Sequence, residues 1–264
     1  MMAKATVSAC VMTFNNADVI KECMKNIKWA DEIIVVDSFS TDNTVEICRE
    51  FTDKINQRKW PGFKDQSNYI VSLANYEWIL FMDADEIISP ELYLEIQSHL
   101  NNDSNNWDGF YFPRRTRYLG SWINHGEWYP AYDLLLYKKD KGKWVKEPHA
   151  TLELDGKAKY LKSDCLHYTY RNLSHQLSTI DKYTDMSAIE MKKDGVKFLT
   201  FQLLFRPFFR FIKGYFFKRG FLDGVPGLVA AITTSFYVFM KYAKLWELRI
   251  KNQPQIGTDK DAYK

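Results

Sequence analysis

The sequence predicts an α/β fold in which a mostly parallel sheet is followed by a helical extension rich in aromatic and basic residues. Short apolar segments alternate with amphipathic ones over residues 5–100, in the rhythm of strand–helix–strand units. After residue 197 this rhythm gives way to long helical patterns with many Phe, Lys and Arg residues. Hydrophobic residues form 46% of the 264 residues, which is enough for a sizeable core.

Composition narrows the class of protein. The net charge of +3 gives no argument for a nucleic-acid partner, and none is expected. A strand-like pattern begins almost at once, so no signal peptide is expected. The cysteines show neither close pairing nor metal-site spacing and predict free thiols in a reducing cytosol: Cys10, Cys23, Cys48 and Cys165.

The elements follow in order. Strands are expected over residues 5–13, 32–37, 54–57 and 78–82. Helices are expected over residues 18–28, 43–51 and 65–75 and from Pro90 onward, with Asp18 and Ser89 as caps. A loop at 101–106 is followed by an antiparallel extension over 109–170 and a helix over 174–193. The predicted domains are 1–173 (halves 1–100 and 101–173), a helical region 174–251 and a flexible tail 252–264.

The segment Trp78–Glu86 (WILFMDADE) is the most informative. Asp83 and Asp85 follow an apolar strand, and alternation of side chains along a strand predicts that they point to the same side. Paired carboxylates suit a hard divalent cation, which could neutralise the diphosphate of a departing nucleotide. Asp-x-Asp alone is expected about once by chance in a chain of this length, so the upstream segments carry the specificity.

Three strand ends are expected to converge on one cleft, because ligands of parallel sheets bind outside the carboxyl ends of the strands. Thr13 and Asn15 follow the first strand, Asp37 and Ser38 follow the second, and the acid pair follows the fourth. Asp37 is expected to be exposed, where it could accept hydrogen bonds from a uracil ring or a ribose hydroxyl. For Asp42, helix capping and ligand contact both stay open.

These segments resemble the first domain of the family 2 glycosyltransferases, which have the Rossmann-like GT-A fold. The matching residues are Thr13 and Asn15 in the first-strand signature, Asp37, Ser38 and Asp42 in the DSxSTD turn, and Asp83, Ala84 and Asp85 in the DxD motif. The loop and helix that begin at Gly62 are similar to a segment that lies along the donor in this family, with Lys64, Gln66 and Asn68 as the implied contacts. The resemblance implies that Asp85, with Asp83, holds Mg²⁺ or Mn²⁺.

Several cationic residues of the second half are further candidates for ligand contact. His167 is either a structural histidine or, as the resemblance implies, a third metal ligand or diphosphate contact. Arg171 could pair with the diphosphate as a fork-shaped donor. Arg114, Arg115 and Arg117 predict a solvated loop, with contact to an anionic acceptor as the alternative.

The rest of the chain resembles the bacterial enzymes that add a β-1,4-linked glucose to the lipopolysaccharide inner core. The residues that carry this resemblance lie at 126–130 (GEWYP), 166–171 (LHYTYR), 206–207 (RP), 220–224 (GFLDG) and 242–249 (YAKLWELR). It implies an inverting transferase that takes a UDP-hexose, UDP-glucose above others. The implied acceptor is a lipid-linked saccharide, reached by a peripheral protein on the cytoplasmic side of the inner membrane. A homo-oligomer is possible.

Two departures from the family pattern affect the catalytic base. The pattern has an acid at the position of Ala131 and a glutamate at that of Ala150. An inverting transferase needs a base near the acceptor hydroxyl, and the remaining candidates are Asp133, then Glu127 and Glu147, each of which could equally be a solvated surface acid. The departures also motivate an alternative function, a nucleotide-sugar-binding protein at the membrane interface with weakened or lost turnover.

The aromatic and basic tail is the second strong pattern. Half of the 18 phenylalanines lie at 198–221, and residues 197–222 include six Lys or Arg and no acid. Arg206, Arg210 and Lys213 would share one helical face, although Pro207 is expected to interrupt the helix there. Such a helix fits the interface of an anionic membrane, and packing on the catalytic core is the alternative.

Overall fold

The computed structural model describes residues 5–102, 104, 106–146, 150–197 and 200–250. The chain forms two compact units, one of residues 1–124 and 128–169 and the other of residues 125–127 and 170–264. The sequence-based boundary was placed at 173/174 and did not anticipate the transfer of residues 125–127. The predicted tail 252–264 lies outside the described residues.

The first unit is built on one large sheet. Its helices are α1 (Ile20–Asn26), α2 (Thr44–Arg49), α3 (Phe63–Ser72) and α4 (Pro90–Asn102). Its strands are β1 (Val7–Thr13), β2 (Glu32–Asp37), β3 (Ile55–Gln57), β4 (Trp78–Asp83), β5 (Glu86–Ile88), β6 (Gly109–Tyr118), β7 (Ser121–Trp122), β8 (Ala131–Lys138), β9 (Gly142–Val145), β10 (Thr151–Leu154), β11 (Ala158–Tyr160) and β12 (Cys165–His167).

The strand order is β3-β2-β1-β4-β8-β6-β12-β5, with β7 and β11 also paired to β6 and β9–β10 as a separate hairpin. Strands β1 to β4 run parallel, which confirms the predicted α/β class. The antiparallel extension is correct for β8. It is also correct for β7 against β6 and for the β9–β10 pair. It is wrong for β11, which runs parallel to β6, and half correct for β12, which runs parallel to β6 and antiparallel to β5.

Strand β2 shows why its sequence is almost wholly apolar. All six of its residues are buried. Ile33 and Val35 join the core on the side of α1, whereas Ile34 and Val36 join the core on the side of α3. A parallel strand covered on both faces needs apolar residues at consecutive positions, as predicted.

Some element boundaries differ from expectation. Helix α1 begins at Ile20 with Val19 at its cap position, so Asp18 does not cap it as predicted. The cap of α4 is confirmed, because the Leu92 amide donates to Ser89 Oγ over 3.1 Å.

Cys10, Cys23, Cys48 and Cys165 are all free and buried, as expected.

The second unit is helical. It contains α5 (Leu173–Lys193), α6 (Thr200–Ile212), a π-helical turn (Lys213–Phe217), a 3-10 turn (Gly220–Asp223) and α7 (Gly224–Ile250). Pro207 lies inside α6, so the predicted interruption of the helix is wrong. Helix α6 packs on α7, where Ser235 Oγ donates to the Pro207 carbonyl over 2.7 Å. This packing supports a helix that proline alone would weaken.

Candidate active site

The ends of three parallel strands lie side by side at one edge of the sheet. Strand β1 is paired with β2 on one side and β4 on the other, with Thr13 opposite Asp37 and Met12 opposite Asp83. The acids that follow β2 and β4 are therefore separated by one strand. The expected convergence of these strand ends is observed.

The loops after β1 and β2 are joined by hydrogen bonds. The Asn15 amide donates to Ser40 Oγ over 2.8 Å, and the Thr41 amide donates to Asn15 Oδ1 over 2.8 Å. The Ser38 amide donates to the Thr13 carbonyl over 3.0 Å. Asn15 has a φ of 53°, a left-handed conformation that asparagine adopts more readily than most residues. The two loops are thus fixed to each other, with Asn15 and Ser38 partly exposed and Thr13 buried.

Asp37 does not have the predicted exposure. It is fully buried, and its carboxylate accepts hydrogen bonds from the Ser40 amide over 2.9 Å, from Ser40 Oγ and from Gln57 Nε2 over 3.0 Å. Gln57, which lies on β3 outside the predicted site residues, makes the last of these bonds. The buried Asp37 carboxylate therefore holds the turn at residues 38–40 in place through hydrogen bonds.

Asp42 precedes the cap position of α2, which is occupied by Asn43, and bonds the first amide of the helix. It is exposed and accepts hydrogen bonds from the amides of Thr44 over 3.1 Å and Ala17 over 3.2 Å. Burial acts to raise the pKa of Asp42, but hydrogen bonds from Thr44 and Ala17 outweigh it and lower the pKa. Asp42 therefore fixes the turn before α2 without occupying its cap position, and ligand contact stays a prediction.

Two residues of α3 that were predicted to contact the donor, Lys64 and Gln66, differ in their exposure to solvent. Lys64 is exposed and lies 3.5 Å from Asp65. Gln66 is buried; its Nε2 donates to Ser38 Oγ over 3.3 Å, and its Oε1 accepts from Arg58 Nη1 over 3.2 Å. Lys64 can reach a ligand from solvent, whereas Gln66 supports Ser38 from below.

Asn68 joins α3 to the β9–β10 hairpin. Its Nδ2 donates to the Trp144 carbonyl over 2.9 Å, and its Oδ1 accepts from the Trp144 amide over 3.2 Å. Both ends of the amide are thereby engaged by one backbone residue. Asn68 therefore has a structural role, and its contact with a donor stays a prediction.

The acid pair lies at the end of β4. The strand stops at Asp83, and Ala84 and Asp85 form the turn into β5, so strand alternation does not explain their placement. Asp83 Oδ2 lies 3.1 Å from Arg114 Nη2, and Asp85 Oδ2 lies 3.5 Å from His167 Nε2. The side chains of Asp83 and Asp85 are 47% and 25% exposed, so both can meet a ligand.

Arg114 organises the acids around it. Besides Asp83 it contacts Glu86 and, over 3.0 Å, Asp133 Oδ2 on β8. The prediction of a solvated loop at 114–117 is wrong, because these residues lie in β6 and the Arg114 side chain is only 21% exposed. The sequence signal for an inward-facing Arg114 is the alternation of side chains along β6, which places Phe112, Arg114 and Thr116 on the same face of the strand.

Burial and neighbouring charge separate the acids electrostatically. Burial raises the pKa of Glu86 to about 7 despite the pull of Arg114. Although nearly half of the Asp83 side chain is exposed, desolvation of its carboxylate by the surrounding protein, together with the Asp85 charge, raises the pKa of Asp83 against the pull of Arg114. Burial acts likewise on Asp85, but the hydrogen bond from His167 outweighs it and lowers the pKa, so Asp85 is the more firmly ionised member of the pair.

A metal site formed by three protein ligands is not preassembled. Among the described residues, no three His, Cys, Asp or Glu side chains gather in a geometry that could hold an ion. Arg114 engages Asp83, which leaves Asp85 and His167 as a facing pair. Thr169 Oγ1 lies 2.8 Å from His167 Nδ1 and 3.1 Å from Nε2, so the hydroxyl contacts the edge of the ring that carries both nitrogens. A carboxylate and an imidazole fit a cation whose remaining ligands come from substrate oxygens.

Two further predicted residues belong to the second unit. Glu127 is 9% exposed on its side chain and lies among Arg210 (3.0 Å), Lys218 (3.4 Å) and Lys213 (3.9 Å). A carboxylate held by three cations is a structural counter-ion, which argues against the predicted role of Glu127 as a base. The Arg171 amide donates to His175 Nδ1 over 3.4 Å. Its side-chain role stays a prediction, and Glu147 lies outside the described residues.

Comparison with known proteins agrees with this architecture. Residues 8–152 match the family model for glycosyl transferase family 2. An uncharacterized glycosyltransferase of Rickettsia typhi, RT0209, is 27% identical over 96% of this chain and 91% of its own length. The lipopolysaccharide core biosynthesis glycosyltransferase LpsC of Rhizobium meliloti is 23% identical over 97% of this chain and 98% of its own length.

A solved structure supports the fold. The mannosyltransferase PcManGT of Pyrobaculum calidifontis superposes with a TM-score of 0.57 at 15% identity, covering 93% of this chain and 88% of its own. The architecture is that of the GT-A fold, as predicted. With more than half of its residues matched by the family model, the chain belongs to glycosyl transferase family 2.

Proposed function

We propose that this transferase is an inverting, metal-dependent enzyme that moves a hexose, glucose from UDP-glucose, onto a lipid-linked saccharide such as the lipopolysaccharide inner core. It would work at the cytoplasmic face of a bacterial inner membrane. The observation that carries the proposal is the Asp85–His167 pair, which faces a cluster of acids held by Arg114 at the carboxyl edge of the sheet.

Asp85 and His167 would hold Mg²⁺ or Mn²⁺, which when bound neutralises charge on the donor diphosphate. Arg114 keeps Asp83 and Asp133 in place through its two terminal nitrogens. Asn15 and Ser38 would provide the surface for the nucleoside, and the buried Thr13 would support it through the bond from the Ser38 amide to its carbonyl. Because the reaction is a single displacement, positioning supplies much of the rate enhancement.

Asp133 is the preferred base. It lies in the same unit as the acid pair, is 45% exposed and is oriented by Arg114 Nη1 over 3.0 Å. An exposed carboxylate can reach an acceptor hydroxyl, whereas Glu127 is enclosed by cations. Ala131, two residues before Asp133 on β8, replaces the acid of the family pattern and leaves Asp133 as the acid of this strand.

The nature of the substrates is supported by similarity. LpsC, by its name, acts in lipopolysaccharide core biosynthesis, which favours a lipid-linked saccharide acceptor. PcManGT was solved with GDP-Man and Mn²⁺, so GDP-mannose is the donor that competes with the proposed UDP-glucose.

A thermal-shift panel tests the donor. UDP-glucose, GDP-mannose and dTDP-glucose are added to the full chain with and without Mn²⁺, and a donor that binds the folded state raises Tm. We expect the largest shift for UDP-glucose with Mn²⁺ and no such shift in Asp85→Asn. A larger shift with GDP-mannose would overturn the donor assignment.

Turnover distinguishes the enzyme from the binding-only alternative. Release of UDP from UDP-glucose in the presence of lipopolysaccharide core acceptor is expected for the wild type. Asp133→Asn should retain the donor-induced shift and lose on the order of 10²-fold or more in release rate, as general-base catalysis contributes about that much. A wild-type chain that binds donor but never releases UDP would favour the binding protein.

A further inference from the structure

Helix α7 is long and apolar enough to cross a bilayer, and among the described residues the only such segment runs from Gly220 to Ile250. Its 27 helical residues extend about 40 Å, which exceeds the hydrocarbon thickness of about 30 Å. Length and composition therefore allow a span. The contacts of α7 inside the second unit decide otherwise.

Helix α5 is bound along α7 by polar contacts. Gln176 Nε2 donates to Thr233 Oγ1 over 3.0 Å near one end, and Lys192 Nζ donates to the Leu248 carbonyl over 3.0 Å near the other. Between them Ser187 Oγ lies 2.8 Å from the Tyr237 hydroxyl. Ala188, Tyr242 and Leu245 form the apolar core between the two helices.

Helix α5 cannot follow α7 into hydrocarbon. Lys244 on α7 lies 2.7 Å from Asp181 Oδ1 and 2.9 Å from Asp185 Oδ1, and these two side chains are 70% and 59% exposed. Exposed carboxylates are costly at bilayer depth. A spanning α7 would have to strip away α5 and leave Lys244, Thr233 and Gln176 without these partners.

The exposed apolar residues of α7 form a stripe along its whole length instead of a belt around it. They recur at spacings of seven, four and three, which keeps them on one face: Val225, Ile232, Phe236, Phe239, Trp246 and Ile250. Helix α6 and the turns after it add exposed apolar residues: Phe201, Leu204, Phe205, Phe208, Phe209, Phe216, Phe217, Phe221 and Leu222. These two sets together are the apolar face of the second unit.

The charges over residues 197–222 are of one sign, whereas the rest of this region also carries Asp223 and the exposed Glu247. Residues 197–222 contain six Lys or Arg and no acid, and Arg210, Lys213 and Lys218 share the single buried Glu127. A positive excess therefore remains next to a large apolar face. An exposed apolar face with adjoining cations is complementary to a membrane surface with anionic headgroups.

We propose that α6 and α7 lie in the plane of an anionic leaflet, with the apolar face inserted among the lipids and α5 on the aqueous side. The second unit is thus a monotopic anchor and not a transmembrane one. This inference deepens the peripheral location in the proposed function. Because it is tested without donor or acceptor, its failure is distinguishable from failure of the transferase assignment.

Vesicle flotation tests the partner. The full chain is expected to float with phosphatidylcholine vesicles that contain phosphatidylglycerol, to bind less to phosphatidylcholine alone, and to be released by salt. Phe209→Glu and Phe217→Glu, at side chains 60% and 80% exposed, should each reduce binding about tenfold or more while Tm stays unchanged. Leu94→Glu, 66% exposed on α4 of the first unit, is the matched control and should bind like wild type.

Labelling tests the orientation. The native cysteines are buried, so single cysteines introduced by Val225→Cys, Phe236→Cys, Ile250→Cys or Lys182→Cys can each carry an environment-sensitive NBD dye. On vesicles we expect the first three labels to enter an apolar environment and to be quenched by added dithionite, which does not cross the bilayer. The label at 182 should stay in water.

Protection of the label at one end of α7, with quenching at the other, would overturn the in-plane arrangement in favour of a span. Wild-type binding by both Phe→Glu variants would overturn the assignment of the apolar face. If the chain ignores vesicles and forms a dimer that Phe217→Glu dissociates, the face is occupied by a second copy and the lipid partner is wrong.

Discussion

Arg114 Nη2 on β6 lies 3.1 Å from Asp83 Oδ2 at the end of β4, and the same guanidinium contacts the fully buried Glu86. One cation thereby holds the acidic turn against the rest of the sheet. The DxD motif depends for its position on a residue some thirty positions further along the chain.

We expect Arg114→Met to lower the free energy of unfolding by about 1–3 kcal/mol at neutral pH, because Glu86, whose pKa is about 7, is then buried as an acid without its partner. Urea unfolding at neutral pH measures the change. Arg114→Met combined with Glu86→Leu should recover part of the loss, since no buried polar group is then left without its partner. Arg117→Met, which removes a cation 5.3 Å from the Trp122 ring, is the control and should cost about 1 kcal/mol or less. Equal losses for the two single variants would contradict this role of Arg114.

His167→Ala should raise the Mn²⁺ concentration needed for half-maximal donor-induced stabilisation by at least about tenfold. Thr169→Val should have a smaller effect, because it removes only the hydroxyl that lies 2.8 Å from His167 Nδ1. A titration of Tm against Mn²⁺ at saturating donor gives both values. EDTA should abolish the donor shift in the wild type, and His99→Gln on α4 serves as the control. An unchanged Mn²⁺ requirement in His167→Ala would remove that residue from the proposed metal site.

Glu32 predicts a pH-dependent contribution to stability. Burial acts to raise its pKa, but hydrogen bonds from Lys54, Ser8 and Asn75 outweigh burial and lower the pKa from 4.5 to about 2. The carboxylate therefore stabilises the fold above pH 4.5, and this contribution is lost as pH falls toward 2. Glu32→Gln should cost about 2–3 kcal/mol at neutral pH.

The stability difference between wild type and Glu32→Gln should be constant at neutral pH and shrink below pH 4.5, measured by urea unfolding across this range. Glu50→Gln removes an exposed partner of Lys21 and is the control, with an expected cost of about 1 kcal/mol or less. A difference between wild type and Glu32→Gln that grows on acidification would contradict the assignment.

Asn15 tests the left-handed turn that joins the first two strand ends. Asn15→Gly keeps access to a φ of 53° but loses the bond to Thr41, whereas Asn15→Ala loses that bond and is also strained. We expect Asn15→Ala to be about 1 kcal/mol less stable than Asn15→Gly and to bind donor more weakly, as read from unfolding curves and the donor-induced Tm shift. Equal stability of the two variants would show that the turn relaxes.

The sequence was sufficient for the parallel half of the sheet because local patterns determine it. The apolar run of β2 and the acids that follow β2 and β4 require only strand topology to come together. Their detailed roles depend on distant partners. Asp37 is buried because Gln57 arrives from β3, and Glu127 is enclosed by cations more than eighty positions away.

The predicted solvated loop at Arg114 is wrong for a related reason. A segment with three arginines has the composition of a solvated loop, and only the acids on β4, β5 and β8 make an inward-facing arginine favourable. Pro207 was expected to interrupt α6, but packing on α7 supports the helix through it. In both cases tertiary contacts outweigh a local propensity.

Strand β6 pairs with β7, β8, β11 and β12 and also carries Arg114. Its amides should therefore exchange with deuterium only when much of the sheet opens. Such an opening would release Arg114 from its acids at the same moment, so catalytic competence and the slowest exchange in this unit should disappear in one cooperative event.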